Sequence, residues 1–374
     1  MTYSVNQPWD PLKVCAVGRS YPPEFYSFMK SPKLRNLFER IATETEEDFQ
    51  NIIKKLKELN VDIVRPQMPT TWDENFVFEG KKIPPPYSMV PRDQMIMIGE
   101  NFFIFPFENV AKKHFYGGNK VEKNQVESLK EYESYLKNHY ELRRMGWWNP
   151  IVDKVKEAGN KVIENTYNDI LDGIPANGIT RCGKDLIFGL PVGREKQREI
   201  ELLANKFFND YKCHYITTGG HIDGCFSPIK PGLIVSINEI PKEDYTKTFK
   251  DWEVVYLEGE SWFKVKNWLD LKHKNQGKWW IKGYEQDDEV IDYVETWLSD
   301  WTGYAEESVF DVNILTIDEN NIMCTNYNKE AFDAFERHNI TPHIVPYRHR
   351  YFWDGGIHCV TADLHREGEL KSIL

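Results

Sequence analysis

Three stretches of the chain carry side chains able to do covalent chemistry. The segment WDGGIHCVTADLHR, residues 353–366, sets Cys359 after a glycine pair and a histidine, and before a threonine and an aspartate. A lone cysteine is most often a small buried hydrophobe. Gly355 and Gly356 permit close backbone approaches that other residues forbid, so this loop is able to press a thiol against a substrate. The segment TTGGHIDGCFSPIKPGLIVS, residues 217–236, places His221 and Asp223 two apart. In an extended segment two such side chains share one face. A free thiol has a pKa of about 8.5, and a nearby histidine is the usual means of making a thiolate near neutral pH. The third stretch, PPPYSMVPRDQMIMIG, residues 84–99, carries Arg92 and Asp93 at the mouth of a strand pair. Taken singly, each stretch also has a plain structural reading: a buried thiol, a strand-end histidine bonded to a carbonyl, an aspartate in a surface ion pair worth little.

Together a thiol, a histidine and two carboxylates suit one reaction. Paired carboxylates match the N–H fork of a guanidinium group. The thiolate then attacks the central carbon, and the histidine protonates the departing amine. The resulting amidino-cysteine passes its group to water, as in a hydrolase, or to an incoming amine, as in a transferase.

The elements that must bring these residues together recur along the chain. Short apolar segments, among them KVCAVGRS from Lys13, QMIMIGENFFIF from Gln94, KDLIFGLPVG from Lys184, GLIVSINEIP from Gly232 and NILTIDENNIMCTN from Asn313, read as strands or strand pairs. EEDFQNIIKKLKELNVDIVRP has Phe49, Ile52, Ile53, Leu56 and Leu59 at helical spacing, then Asn60 as a stop and a strand. REIELLANKFFNDYKCHYITTGG and KEAFDAFERHNITPHIVPYRHR repeat that plan and run toward the His221 and Cys359 loops. The order of elements predicts repeated ββαβ units around a common axis, with polar loops converging on one central site. Two ordinary α/β domains are the alternative, but no Pro/Gly/Ser-rich linker divides the chain. Residues 241–304 are expected to depart from the plan as a Trp-rich insertion, with Trp252, Trp262, Trp268, Trp279, Trp280, Trp297 and Trp301 out of twelve tryptophans.

Bulk properties narrow the function classes. A net charge of −11 argues against a nucleic-acid partner and against docking on an anionic membrane. No run reaches the roughly 20 apolar residues that span a bilayer, and the first residues resemble no targeting segment, so the cytoplasm is the expected compartment. The six scattered cysteines form no CxxC pair and the ten histidines no HExxH, against a disulfide framework or a metal centre.

These stretches resemble the amidinotransferase family of the pentein superfamily, the glycine and inosamine-phosphate amidinotransferases. PWDPLKVCAVGRS resembles its opening strand, YSMVPRD its Asp-bearing loop, GGHIDGCFSPIKPGLIVS its His-x-Asp segment, and GGIHCVTADLHREGELKSIL its nucleophile segment. The resemblance covers almost the whole chain. It implies an α/β pentein fold, a five-fold αβ propeller formed as a single domain over residues 1–374. It also implies Cys359 as nucleophile, His221 as general acid/base, and Asp93 and Asp223 as a guanidinium clamp, with Arg92 beside them. The implied reaction is ping-pong transfer from a guanidino donor, usually L-arginine, to a primary amine, with no metal or organic cofactor. The family's members are often dimeric, so a homodimer is the implied assembly.

Three departures from the family pattern stand out. Where the family has an acidic pair, this chain reads LDGIPANGITRCGKD, with Pro175 and Gly178 at the acidic positions. Asp172 fills the role if the loop bulges by about three residues, and Asn177 is the neutral substitute. Glu306 and Glu307 replace a serine pair, with Glu307 assigned to the substrate, and Ile240 replaces an arginine. These changes remove attraction for an anionic group, so the expected substrates are less anionic than arginine plus glycine. The third departure is the Trp-rich insertion. A deiminase-like hydrolase and a non-catalytic guanidine-binding pentein are the alternative readings.

Overall fold

The computed structural model describes residues 1–68, 77–78, 81–82, 89–104, 148–164, 176–190, 194–218, 221–237, 240–257, 283–284, 287–290, 293, 311–353 and 355–374. The first unit holds β1 (Leu12–Val17), α1 (Pro32–Glu58) and β2 (Asp62–Val64), followed by a small hairpin of β3 (Val77–Phe78) and β4 (Lys81–Lys82). The second has β5 (Met95–Ile98), β6 (Asn101–Ile104), α2 (Asn149–Glu157) and β7 (Lys161–Glu164). The third has β8 (Ile179–Cys182), β9 (Asp185–Leu190), α3 (Arg194–Phe207) and β10 (Lys212–Thr217). The fourth has β11 (Phe226–Lys230), β12 (Leu233–Ser236), α4 (Lys242–Thr248) and β13 (Glu253–Tyr256). The fifth has β14 (Leu315–Asp318), β15 (Asn321–Cys324), α5 (Lys329–Arg337) and β16 (Thr341–Ile344), and β17 (Thr361–Arg366) ends the series.

Each unit makes the same three-stranded sheet, in the orders β17-β1-β2, β5-β6-β7, β8-β9-β10, β11-β12-β13 and β14-β15-β16. The first pair in each sheet is antiparallel and the second parallel. A parallel pair cannot be joined by a tight turn, which is why each unit carries its helix between its second and third strands. The helix stops are alike as well. Asn60, Gly159, Asp251 and Asn339 take positive φ just before β2, β7, β13 and β16, a conformation tolerated best by glycine and by short polar side chains. The result is a five-fold αβ propeller, as the family resemblance implies and in agreement with the repeat of elements.

Two boundaries differ from the expected ones. The helix of the first unit begins at Pro32, well ahead of the periodic segment, because Ser31 caps it and Leu34, Leu37, Phe38 and Ile41 extend its buried stripe. Residues 242–257 do not depart from the plan: α4 and β13 are the regular helix and third strand of the fourth unit, with Leu233 to Ser236 paired to Glu253 to Tyr256. Trp252 packs at 5.0 Å from Phe249 and 5.9 Å from Trp9, as part of that unit's core. Trp262, Trp268, Trp279, Trp280, Trp297 and Trp301 lie outside the described residues.

The ring closes through the chain's two ends. β17 pairs with β1, Cys15 opposite Asp363 and Val17 opposite Thr361. Buried ions fasten the closure. Arg181 on β8 reaches both oxygens of Asp363, at 2.8 and 2.9 Å, and the Met97 carbonyl of β5 at 2.7 Å. Arg366 donates to Asp363 at 2.6 Å and to the Thr316 carbonyl of β14 at 2.8 Å. Burial opposes a charge on Asp363, but the two guanidinium groups outweigh it and hold the carboxyl far below the usual range. Four units are thereby tied by one carboxylate and two cations. Among the described residues no helix is long and apolar enough to cross a membrane.

Removing one partner of such a network leaves buried charge uncompensated. Arg181→Met is therefore expected to lower the unfolding free energy by about 3 kcal/mol, read as an early midpoint in urea denaturation. A midpoint shared with the parent chain would show that Arg366 alone satisfies Asp363.

Candidate active site

Cys359 lies in the turn between a helical segment, Arg350–Trp353, and β17. That segment is pinned to α1. Arg348 donates to Asp48 at 3.0 and 3.1 Å, His349 meets Glu44 at 2.6 Å, and the Trp353 indole donates to Thr45 at 2.8 Å. The turn itself is held from both sides: Arg92 N–H donates to the Cys359 carbonyl at 3.3 Å, and Gly18 N–H to that of Val360 at 2.8 Å. Gly18 has no room for a side chain, since a Cβ there would sit 2.0 Å from the Met89 carbonyl oxygen.

The thiol has polar company. The Asn313 side-chain nitrogen lies 3.0 Å from Cys359 Sγ, and Asp223 Oδ2 lies 3.7 Å from it. Asp223 sits in a short 3-10 turn, Ile222–Gly224, that opens at His221. Its Oδ2 also accepts from His358 Nδ1 at 2.6 Å. Burial pushes the Asp223 carboxyl up, but the hydrogen bond and charge of His358, with Arg92 and His221 adding, pull it well below the ordinary range. Asp223 is a carboxylate held ionised in a buried place. The other cysteines differ. Burial pushes the thiols of Cys15 and Cys182 far upward and that of Cys324 up to about 12, which keeps them protonated and inert.

Asp93 follows from the second unit, in the helical turn Pro91–Gln94. Burial raises its carboxyl, the charge of Asp223 raises it further, and His221, an Asn177 hydrogen bond and Arg92 counteract only in part. Two buried carboxyl groups thus feel each other and are pushed in opposite directions. Asp93 Oδ1 and Asp223 Oδ1 are both buried, and neither accepts a hydrogen bond from the described residues. A buried acceptor left open is costly unless something fills it. A planar cation with several N–H groups would satisfy both.

The structure brings together Cys359, His221, Asp93 and Asp223, the residues expected from the three stretches. Arg92, expected on the substrate side, is buried beside them. Its guanidinium donates to the carbonyls of Ala176 and Ile179, and so holds the short turn Ala176–Gly178 against the site. That turn delivers Asn177, buried and bonded to Asp93. Ile240 lies in a core cluster with Trp9, Phe226 and Tyr245, away from any polar role. Asp172 and Glu307 lie outside the described residues. Sequence reasoning passed over His358 and Asn313. His358 was visible as the neighbour of the cysteine, but nothing in its spacing announced Asp223 as its partner.

A cavity of about 30 Å³ borders Asp223 and His358 and is also lined by Arg92, Arg181 and Arg366. It has room for solvent rather than for a substrate. Among the described residues no group of three or more His, Cys, Asp and Glu side chains is arranged to hold a metal ion.

Comparison with known proteins agrees with this geometry. No family model matches the chain. It is similar to the L-arginine:L-lysine amidinotransferase of Pseudomonas savastanoi pv. phaseolicola, 22% identical over 304 residues that make up 77% of this chain and 69% of that protein. It is similar to the mitochondrial glycine amidinotransferase of Xenopus laevis, 22% identical over 396 aligned positions covering 97% of this chain and 83% of that one. Its fold matches an amidinotransferase of the saxitoxin biosynthetic pathway from Microseira wollei, with a TM-score of 0.63, 16% identity and all of both chains covered. The chain is similar in sequence to amidinotransferases over most of its length. Its fold is the one those amidinotransferase structures share, and Cys359, His221, Asp93 and Asp223 stand on loops that the repeated units bring together.

Gly356 is also under steric demand, since a Cβ there would lie 2.6 Å from the Cβ and Oδ1 of Asn313. Gly356→Ala is expected to cost about 1–3 kcal/mol through overpacking, measured by thermal or urea unfolding. An unchanged stability would mean that the loop relaxes without effort.

Proposed function

We propose that this chain is an amidinotransferase that carries the amidino group on Cys359. The observation that supports it most directly is the pair of open, buried carboxyl oxygens on Asp93 and Asp223 beside a thiol with polar partners. The donor's guanidinium fills those two acceptors bidentately. Its positive charge offsets that of Asp223 near the sulfur and so favours the thiolate. The thiolate attacks the guanidinium carbon, the C–N bond to the donor amine breaks, and His221 gives that amine its proton. An acceptor amine then attacks the amidino carbon, loses a proton to His221, and expels the Cys359 thiolate. No electrons are exchanged with a cofactor.

L-arginine is the proposed donor. The proposed acceptor is a primary amine without a nearby carboxylate, such as a polyamine-like amine, because Ile240 is an apolar core residue and Glu306 and Glu307 bring negative charge. Asp172 and Glu307 are assigned to the substrate side of the site. Arg92 serves the same site through the Ala176–Gly178 turn.

Intact-protein mass spectrometry after brief exposure to L-arginine without acceptor tests the covalent route. An added mass of about 42 Da on Cys359, with ornithine released, is the expected result. Citrulline in solution without an adduct would show hydrolysis instead, and neither product with any of several guanidines would overturn the catalytic reading. Replacing the thiol in Cys359→Ala should abolish the adduct and leave the fold standing.

The two carboxyl groups predict the acid limb of the pH profile. A carboxyl must be ionised to hold a cation, and the pKa of Asp93 is raised while that of Asp223 is lowered. As pH falls, Asp93 takes its proton first. The kcat/KM for the donor is therefore expected to decline at a pH above the ordinary aspartate value of about 3.9. Asp93→Asn should raise KM steeply and remove that limb. An acid limb that persists in the variant would assign it to another group.

A further inference from the structure

We infer that Asn313 aims the Cys359 sulfur and stabilises its thiolate, an inference that rests on the reading of Cys359 as the nucleophile. Asn313 is fully buried just ahead of β14, in a different unit from the cysteine turn. Its side-chain amide makes three contacts. Oδ1 accepts the backbone N–H of Cys359 at 3.0 Å, while Nδ2 donates to Cys359 Sγ at 3.0 Å and to the Asp223 carbonyl at 3.1 Å.

The amide cannot be turned round. A backbone N–H only donates and a backbone carbonyl only accepts, so the outer two contacts fix which end is oxygen and which is nitrogen. An N–H is thereby forced onto the sulfur. The one amide also spans the two segments that the reaction needs, holding the cysteine backbone and the Asp223 backbone at a set separation. Gly356 is part of the same device, because any side chain there would occupy the place of the Asn313 amide.

The electrostatic sense follows from the neighbours. Asp223 Oδ2, 3.7 Å from the sulfur, opposes a second negative charge. An N–H donor does the opposite, since a hydrogen bond to an anion is roughly twice as strong as one to a neutral acceptor. A contact that strengthens on ionisation favours the ionised form. When sulfur carries the amidino group its negative charge is gone and the contact weakens. Asn313 therefore assists the thiolate both as it attacks and as it leaves.

The test is the pH dependence of Cys359 alkylation by iodoacetamide in the full chain without substrate, followed by peptide mass mapping. Asn313→Ala removes the donor. Asn313→Asp keeps the size and the acceptor for Cys359 N–H, but turns an oxygen to the sulfur. The alkylation midpoint is expected to rise by about one pH unit in the first and more in the second, about tenfold less thiolate at fixed pH, with the high-pH limiting rate retained. Adduct formation from L-arginine should slow by a similar factor while donor affinity holds. A midpoint equal to that of the parent chain, or a lower limiting rate with no change of midpoint, would reduce Asn313 to a structural role and overturn the inference. Should Asn313→Asp fail to fold, the same titration on Asn313→Ser decides it by the same criterion. Alkylation needs no turnover, so a chain that transfers no amidino group but shows the shift refutes the proposed reaction and not the role of Asn313. Transfer with no shift does the reverse.

Discussion

Everything in this molecule depends on a closed ring whose seam is made by the chain's own ends. β17 has no sheet except the one that β1 offers, and Cys359 is only two residues ahead of β17. Cys359, the proposed nucleophile, is thus placed by the pairing of β17 with β1. A strand pair at the seam contributes only modest cross-strand energies, and a ring of loosely joined sheets would leave the site poorly registered. The buried Arg181–Asp363–Arg366 group supplies what the strand pairing lacks. Buried ion pairs are poor sources of net stability, because desolvation cancels most of the attraction. Their value here is directional. Asp363 has Arg366 from its own strand, but it meets Arg181 only when β8 and β17 are in one register, which also fixes the turn that precedes β17.

The same economy of charge governs the site. Two carboxyl groups and a thiol sit beside two half-buried histidines, and low polarisability makes each charge felt by the others. The protein separates the two carboxyls by giving them unequal partners. Asp223 has His358 on one oxygen, with Arg92 and His221 adding to the attraction, and stays ionised. Asp93 has an amide, Asn177, and its pKa rises. An acid at position 177 would add a third negative charge to a place that, on the proposed mechanism, also accepts a thiolate. The amide keeps a hydrogen bond to Asp93 without that repulsion.

Much of the fold was legible because the repeat is written in period and punctuation. Apolar strand pairs with turn residues between them, and helices ended by Asn60 and Asn339, recur in the order that the sheets display. The start of α1 was missed because the polar run at residues 43–47 separates Leu34, Leu37, Phe38 and Ile41 from the later apolar stripe. α4 and β13 were hidden by the aromatic residues around them, since Trp252 and Phe249 read as an insertion while they pack as a core. In the site, the chemical groups announced themselves by type and spacing. Their supports did not. Asn313 stands 46 residues from Cys359, and Asp223 stands 135 from His358, so no local pattern links them.

On the proposed mechanism, those distant supports are what set the Cys359 thiol apart from the three that burial silences. Cys15, Cys182 and Cys324 lie in strands, where desolvation dominates and the thiol stays neutral. Cys359 is no less buried, at 1% exposed. What changes is the set of groups it faces: an amide N–H turned toward the sulfur and a carboxylate that a bound cation would neutralise. Burial then acts in favour of reactivity, because the same low dielectric that penalises an unpartnered thiolate strengthens every interaction with a partner that is present. The cost of the charge is conditional on the substrate. On the proposed mechanism, a guanidinium between Asp93 and Asp223 brings the positive charge that makes the thiolate tolerable, so the thiol would ionise most readily when the group it is to attack is in place.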